Sequence, residues 1–172
     1  YTISGYTLQP YQVNLIFPGD LTLAADGAIN VDELGYYAHY GPGHAGYYSG
    51  DGGAYGGIGG DYHGMFGAAG TTAVTYGSIT APTDLGSGGA YVGDYSMPGG
   101  QGVGAVQLTI AGAFNIAGTI SANATAYTSG GGSGGSIYIT ASSISGDGTI
   151  RADGANAGSW GAGGGGGRIA II

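Results

Sequence analysis

Short stretches in which apolar and polar residues alternate recur along the chain, and glycine-rich runs separate them. Residues 105–110, 136–141 and 168–172 each place isoleucine, leucine, valine or alanine at every second position. Alternation with a period of two is typical of β-strands. Frequent glycine disfavours helices, because each interior glycine costs about 1 kcal/mol relative to alanine. The pattern predicts an all-β protein built from short strands.

These stretches belong to an internal repeat. Residues 105–110 match 136–141 at an offset of 31, and the match recurs at 168–172 after a further 32 residues. A second element, residues 118–123, returns thirty residues later. Such units bury their apolar faces only by stacking on one another. The repeat predicts a β-solenoid, specifically a right-handed parallel β-helix with long Gly/Tyr-rich loops, and an antiparallel β-sandwich is the alternative.

The repeat also suggests how the chain is organised. We expect residues 1–172 to form a single β-rich repeat domain, with clear repeats of about 31 residues in 105–172. Residues 41–104 are rich in glycine and tyrosine, and they are either an insertion or degenerate coils. Glycine faces let extended chains approach closely, as in polyproline-II packing. The glycine runs are therefore either packed segments covered by tyrosine rings or loose surface loops.

The charge balance restricts the partners of the chain. Arg151 and Arg168 are the only basic residues beside ten acidic ones, and the net charge is −8. This charge excludes nucleic acid and anionic membrane surfaces as partners. No apolar run approaches about 18 residues, so we expect no membrane insertion. The chain starts at Tyr1 without a leader, which predicts an exported, processed chain or a fragment of a longer one.

Groups that could perform chemistry are few. The chain has no cysteine, which removes disulfides and thiolate chemistry. Four aspartates at turn positions are candidate Ca²⁺ ligands: Asp26, Asp32, Asp147 and Asp153. Aspartate before glycine is also ordinary turn chemistry, and no EF-hand or nonapeptide calcium repeat is present. His39, His44 and His63 lack metal-ligand spacing. We predict no enzymatic activity, no metal and no cofactor, with Ca²⁺ as the one candidate ion.

Asn123 begins an Asn-Ala-Thr sequon and is a candidate glycosylation site.

Glycine-rich motifs recur along the chain, and they lie at residues 26–31, 76–78, 85–89, 133–139 and 163–171. In these motifs the sequence resembles Gly-rich β-helical repeat regions of large microbial surface and extracellular proteins. The resemblance implies a repeat scaffold outside the cell or at its surface. It defines no reaction and assigns no functional residue.

We therefore predict a noncatalytic structural subunit of an extracellular filament or cell-surface assembly, whose partner is a second copy of the chain. Residues 168–172 begin a further apolar strand, and residues 1–8 are expected to supply the matching strand of the next subunit. The expected assembly residues are Tyr1, Ile3, Tyr6, Leu8, Arg168, Ile169, Ile171 and Ile172.

Two other functions compete with this prediction. The first is a carbohydrate-binding or adhesive surface module, in which Asp51 or Asp61 accepts hydrogen bonds and tyrosine rings stack on glycans. Its candidate rings are Tyr36, Tyr37, Tyr40, Tyr47, Tyr48 and Tyr55. The second is a glycoside hydrolase, which requires two carboxylates about 5 to 10 Å apart in a cleft.

Overall fold

The computed structural model describes residues 2–3, 7–8, 11–47, 49–62, 73–93, 97–125 and 127–172. Within these residues the protein is all-β and has no helix, and accordingly no helix long and apolar enough to span a membrane. The strands are β1 (Thr2–Ile3), β2 (Thr7–Leu8), β3 (Gln12–Phe17), β4 (Leu21–Leu23), β5 (Ala28–Asn30), β6 (Ala105–Ile110), β7 (Ala113–Ile116), β8 (Thr119–Ser121), β9 (Ser136–Thr140), β10 (Ser143–Ser145), β11 (Thr149–Arg151) and β12 (Arg168–Ile171).

The strands form three parallel sheets of four strands each. Sheet A has the order β1-β4-β7-β10, sheet B the order β2-β5-β8-β11 and sheet C the order β3-β6-β9-β12. Consecutive strands thus enter sheets A, B and C in turn, and we call each set of three a coil. Coil 1 contains β1 to β3, and coil 4 contains β10 to β12. The antiparallel sandwich is wrong for these sheets, because every pair of strands in them is parallel.

The sheet register follows the sequence repeat. Ala105 pairs with Ser136, and Ser136 pairs with Arg168, at the offsets of 31 and 32 residues seen in the sequence. Val13 pairs directly with Val106 although 92 residues lie between them. Residues 31–104 therefore add no strand to the three sheets within the described part of the chain.

Alternate residues of the strands point into one apolar core. The core cluster draws buried side chains from all three sheets, including Phe114 from sheet A, Ile120 from sheet B and Ile139 from sheet C. Since the two faces of a strand alternate, the neighbours of these residues face outward. Full burial of one such side chain contributes about 2 kcal/mol. The two-residue pattern of the sequence is thus the pattern that fills this core.

Long glycine-rich segments leave the sheets at one corner, between a strand of sheet B and the next strand of sheet C. They pack on one another rather than on the sheet ladders, and many of their residues are buried. We call these segments the glycine layer, and it comprises residues 34–47, 49–60, 84–91, 98–104, 128–135 and 152–167. The glycine runs are therefore packed segments and not loose loops.

Hydrogen bonds within the glycine layer recur at every third residue. Gly130 and Ser133 donate their N–H groups to one neighbouring segment, and the residues that follow each of them donate to another. These pairs are Gly130 to Ala90, Ser133 to Ser87, Gly131 to Ala162 and Gly134 to Gly165, with N to O distances of 2.9 to 3.2 Å. A period of three is that of polyproline II, which has three residues per turn, and not that of a strand.

Glycine is required in this layer by the closeness of the backbones. A Cβ atom placed on Gly132 would lie far inside the van der Waals distance of the Gln101 carbonyl oxygen. A Cβ atom on Gly164 would meet the carbonyl of Gly132 in the same way. Backbone carbonyls cannot move aside as a flexible side chain can, so these positions exclude every other residue.

Candidate functional site

Coil 4 presents an edge of three strands whose outer side has no neighbour among the described residues. Ile169 of β12 is 44% exposed, whereas Ile137, at the same register position on β9, is fully buried. Ile171 is 50% exposed. In sheet A, Ile144 is 38% exposed and its neighbour Phe114 is buried. Positions that form the core in inner coils therefore become an apolar surface at this edge, which we call the coil 4 edge.

Both basic residues of the chain lie on the strands of this edge. Arg151 ends β11 and Arg168 begins β12. Together with Asp147 and Asp153 they leave residues 143–172 neutral, so the net charge of −8 belongs to the rest of the chain. An acidic partner therefore meets less electrostatic repulsion at the coil 4 edge than elsewhere on the chain.

Arg168 connects this edge to the glycine layer. Its guanidinium carbon lies 5.5 Å from the centre of the Tyr55 ring, a distance at which a cation and an aromatic face attract. The Tyr55 hydroxyl forms a hydrogen bond with Ser136 Oγ at 2.5 Å. Arg168 Nε is buried and has no hydrogen-bond partner among the described residues. Tyr55 thus holds Arg168 from the inner side of the edge.

Coil 1 forms the opposite edge of the sheets. Ile3 and Leu8, two predicted assembly residues, lie on strands that pair with coil 2 of the same chain. Tyr1 and Tyr6 lie outside the described residues. Ile172, a further predicted residue, is exposed beyond β12. The structure places the predicted residues that it describes on the two outer coils, and their role in assembly stays a prediction.

A ladder of polar side chains follows the corner after sheet B. The main-chain N–H of Asn123 donates to Asp32 Oδ1 at 2.6 Å, and the N–H of Asp153 donates to Asn123 Oδ1 at 2.8 Å. Each side chain therefore binds the backbone of the next coil. Arg151 Nε donates to Asp153 Oδ2 at 2.8 Å and ends the ladder in an exposed ion pair. Exposed pairs of this kind contribute little to stability.

Three predicted site residues, Asp32, Asn123 and Asp153, form hydrogen bonds in this ladder. Asp32 and Asp153 take part in the ladder, and Asn123 Nδ2 donates to Ser121 Oγ at 2.9 Å. Thr125, which completes the sequon, donates its hydroxyl to the Glu33 carboxylate. The folded chain therefore engages both residues that a glycosyl transfer would need. Sequence reasoning misses the ladder, although the thirty-residue repeat aligns Asn123 with Asp153.

The other candidate Ca²⁺ ligands, Asp26 and Asp147, lie at turns between strands. The described residues contain no group of three or more His, Asp or Glu side chains arranged to hold a metal ion. His63 lies outside the described residues. The four aspartates are thus not brought together as one site in the described part of the protein.

Tyrosines of the glycine layer divide into an exposed and a buried group. Tyr37, Tyr40 and Tyr47 are 58 to 65% exposed. Their segment is fixed to the layer, because the N–H of His39 donates to the Gly89 carbonyl at 2.9 Å. Tyr36 is also exposed, and Tyr48 lies outside the described residues.

Tyr55 is the exception among the predicted glycan-stacking rings. Its side chain is fully buried, so the prediction that it forms part of a surface platform is wrong. Its ring packs against Tyr76, with 4.9 Å between the ring centres. Burial raises the pKa of both phenols. These two tyrosines stabilise the interior of the layer instead of binding a ligand at the surface.

His39 lies between the exposed tyrosines. Its ring centre is 3.4 Å from that of Tyr47 and 4.8 Å from that of His44. Burial lowers the pKa of the His39 imidazole, and the nearby His44 lowers it further. His39 is therefore largely neutral near pH 7, and Tyr40 and Tyr47 form an exposed aromatic surface beside its buried ring, which we call the aromatic patch.

Asp51 and Asp61, the predicted glycan acceptors, form one interacting pair. Asp51 is only 4% exposed, and its Oδ1 accepts the main-chain N–H of Tyr62 at 2.7 Å. Burial raises the pKa of the Asp51 carboxyl, and the charge of Asp61 raises it further. The buried position of Asp51 removes it from the surface, so it cannot serve as the expected surface acceptor.

Comparison with known proteins assigns no family to the chain. No protein-family model, curated protein or solved structure matches it.

Proposed function

We propose that this chain is a noncatalytic structural subunit of an extracellular filament or cell-surface assembly, and that it polymerises head to tail through its outer coils. In this proposal the three sheets form a right-handed parallel β-helix, and the coil 4 edge of one copy adds to coil 1 of the next. The partner is a second copy, with no role for nucleic acid or membrane insertion.

The observation that carries this proposal is the exposure of core positions at the coil 4 edge. Ile169 and Ile171 continue ladders whose inner members are buried. Unpaired β edges are templates for pairing with another chain, and natural proteins usually protect them with charge or proline. Here the strand that bears these isoleucines has one charged residue, Arg168, and no proline.

The strand order supports a head-to-tail contact. The edges of coil 1 and coil 4 both consist of parallel strands in the order A, B, C, so a second copy can continue all three sheets in the same direction. A contact between two different surfaces of identical subunits does not close on itself unless a rotation forms a ring. The expected product is therefore a filament. The neutrality of residues 143–172 in an acidic chain favours the same contact.

The test is electron microscopy and sedimentation of the native chain over a range of concentrations, with Ile169→Asp as the variant. We expect filaments of the wild type and monomers of the variant, because an aspartate on the edge strand would be buried without a partner charge. Ile58→Asp is the matched control, since Ile58 is also an exposed isoleucine, at 63% against 44% for Ile169, but lies on no strand. A wild type that stays monomeric, or variant filaments of normal length, would refute the proposal.

The aromatic patch favours carbohydrate binding as a second candidate function. Exposed rings with hydroxyl groups suit stacking on sugars, and hydrogen bonds hold their segment in place before a ligand arrives. The patch carries no formal charge, so it fits a neutral glycan. A Tyr40→Ala variant should lose glycan retention on an array of neutral polysaccharides, while Ile58→Ala should retain it. Equal retention by both variants would exclude the patch as a binding site.

A glycoside hydrolase is not favoured by the carboxylates. The pair that interacts in the described structure, Asp51 and Asp61, includes a buried member. This function stays a prediction.

A further inference from the structure

We infer that two copies stack in one definite register, in which Ile169 lies beside Val13 of the partner subunit and Ile171 lies beside Leu15 of the partner subunit. This inference rests on the proposed head-to-tail assembly and specifies its interface residue by residue. The second copy is selected by apolar complementarity at the core-facing register positions of sheets B and C.

The register follows from sheet C within one chain. Val13 pairs with Val106, Val106 with Ile137, and Ile137 with Ile169. A second ladder runs through Leu15, Leu108, Ile139 and Ile171. If the next copy repeats the spacing already present between coils, each ladder continues with its own first member. Both continuations place an aliphatic side chain beside an aliphatic side chain.

Sheet B supports the same register independently of sheet C. Leu8, Ile29, Ile120 and Ile150 occupy one register position in coils 1 to 4. The next residue in this ladder is Leu8 of the partner subunit, which is again aliphatic. One rigid placement of the second copy therefore matches apolar residues in two sheets at once.

Other registers are disfavoured by the chain itself. A slip of one residue turns every side chain to the opposite face of the sheet. The in-register stack keeps Ile169 and Ile171 on the face that forms the core in the inner coils.

The absence of cysteine from the chain allows a direct test by disulfide crosslinking. The double variant Ile171→Cys with Leu15→Cys should form intermolecular disulfides on mild oxidation, because adjacent strands place the two Cα atoms about 4.8 Å apart, within the range for a disulfide. The same two residues within one chain lie three strand spacings apart, about 14 Å, so an intramolecular bond is excluded. A non-reducing gel should show a ladder of covalent oligomers.

The matched control is Ile171→Cys with Val13→Cys. A shift of two residues along the strand separates its Cα atoms by about 8 Å, which is beyond disulfide reach. It should remain monomeric on the same gel even though microscopy shows filaments. Ile169→Cys with Val13→Cys is a second in-register pair and should crosslink, which keeps the test independent of the Leu15 substitution.

The outcomes separate the register from the assembly. Crosslinking of both in-register pairs and not of the shifted pair supports the inference. Filaments in which only the shifted pair crosslinks, or in which no pair does, overturn the register and leave the proposed function standing. Absence of filaments in the wild type overturns the proposed function, and the register with it.

Discussion

The three sheets and the glycine layer belong to one chain, yet they are packed by different contacts. In the sheets, side chains of every second residue meet in a core that includes Phe114 and Ile120. In the layer, backbone groups meet directly and hydrogen bonds recur at every third residue. The packing of the sheets thus depends on apolar side chains, whereas the packing of the layer depends on glycine, which has no side chain.

The two regions therefore differ in how they tolerate change. A core of aliphatic side chains loses part of its packing energy when a methyl group is removed, and neighbours relax into the space. A layer of contacting backbones has no room for an added methyl group. The segments at 128–135 and 152–167 also run from a strand of sheet B to a strand of sheet C, which limits how far they can move away. Adding one carbon atom to the layer should therefore lower the free energy of unfolding more than removing one carbon atom from the core.

The substitution Gly132→Ala should have the largest effect. Its methyl group would overlap the Gln101 carbonyl oxygen, and a backbone atom held by the layer cannot shift without breaking hydrogen bonds. We expect a loss of about 3 kcal/mol in the free energy of unfolding, the upper part of the usual range for overpacking. Denaturant unfolding followed by circular dichroism measures this change.

Gly166→Ala is the control for this substitution. Gly166 lies in the same layer, but nothing is within 4 Å of the position of its Cβ atom. Alanine there should leave stability unchanged or raise it by up to about 1 kcal/mol, because it reduces the freedom of the unfolded chain. Equal losses in both variants would mean that backbone contact is not what requires glycine in the layer.

Ile120→Val removes one carbon atom from the core and should have a smaller effect. Ile120 is fully buried on β8, and the loss should be about 1 kcal/mol. The same unfolding experiment measures it beside Gly132→Ala. A loss greater than that of Gly132→Ala would reverse the comparison and make the core the less tolerant region.

How much the sequence predicts differs between the two regions for the same reason. The strands at 105–110 and 136–141 are predictable because side chains record the two-residue period of a half-buried strand. Glycine has no side chain, so the three-residue period of the layer leaves no pattern in residue type. The partners of a segment are also remote in sequence, as when Gly53 donates to Gly131. The sequence therefore allowed both packed glycine segments and loose surface loops, and it did not distinguish between them.

In the candidate site, too, the features recorded by the side-chain pattern could be predicted, and those that depend on remote contacts could not. The apolar residues Ile169 and Ile171 are visible in the sequence as a continuation of the repeat, and the structure shows them exposed. The burial of Tyr55 could not be predicted, because it depends on Ser136 and Arg168, which come from distant coils. The repeat aligns Asn123 with Asp153, so part of the ladder from Asp32 to Asp153 could have been predicted from the sequence. It was not, because aspartate and asparagine are also common in turns for local reasons.

The smallest expected effect concerns Asp51, a buried carboxyl inside the layer. Burial raises the pKa of Asp51 above its ordinary value of 3.8. The folded state therefore binds this proton more tightly than the unfolded state does. The resulting stabilisation is complete below pH 3.8 and is lost as the pH rises through the folded-state pKa. Asp51→Asn keeps an oxygen for the Tyr62 N–H and removes the ionisation, so it should stabilise the protein at pH 7.

The pH dependence of this effect distinguishes burial from general charge repulsion. The advantage of Asp51→Asn over the wild type should shrink as the pH falls from 7 towards 3.8, because the folded wild-type carboxyl takes up its proton above this ordinary pKa. Asp26→Asn removes the same formal charge from an exposed turn and is the matched control. Parallel stability profiles for the two variants would mean that the acidic chain as a whole, and not the buried position in the glycine layer, sets the response to pH.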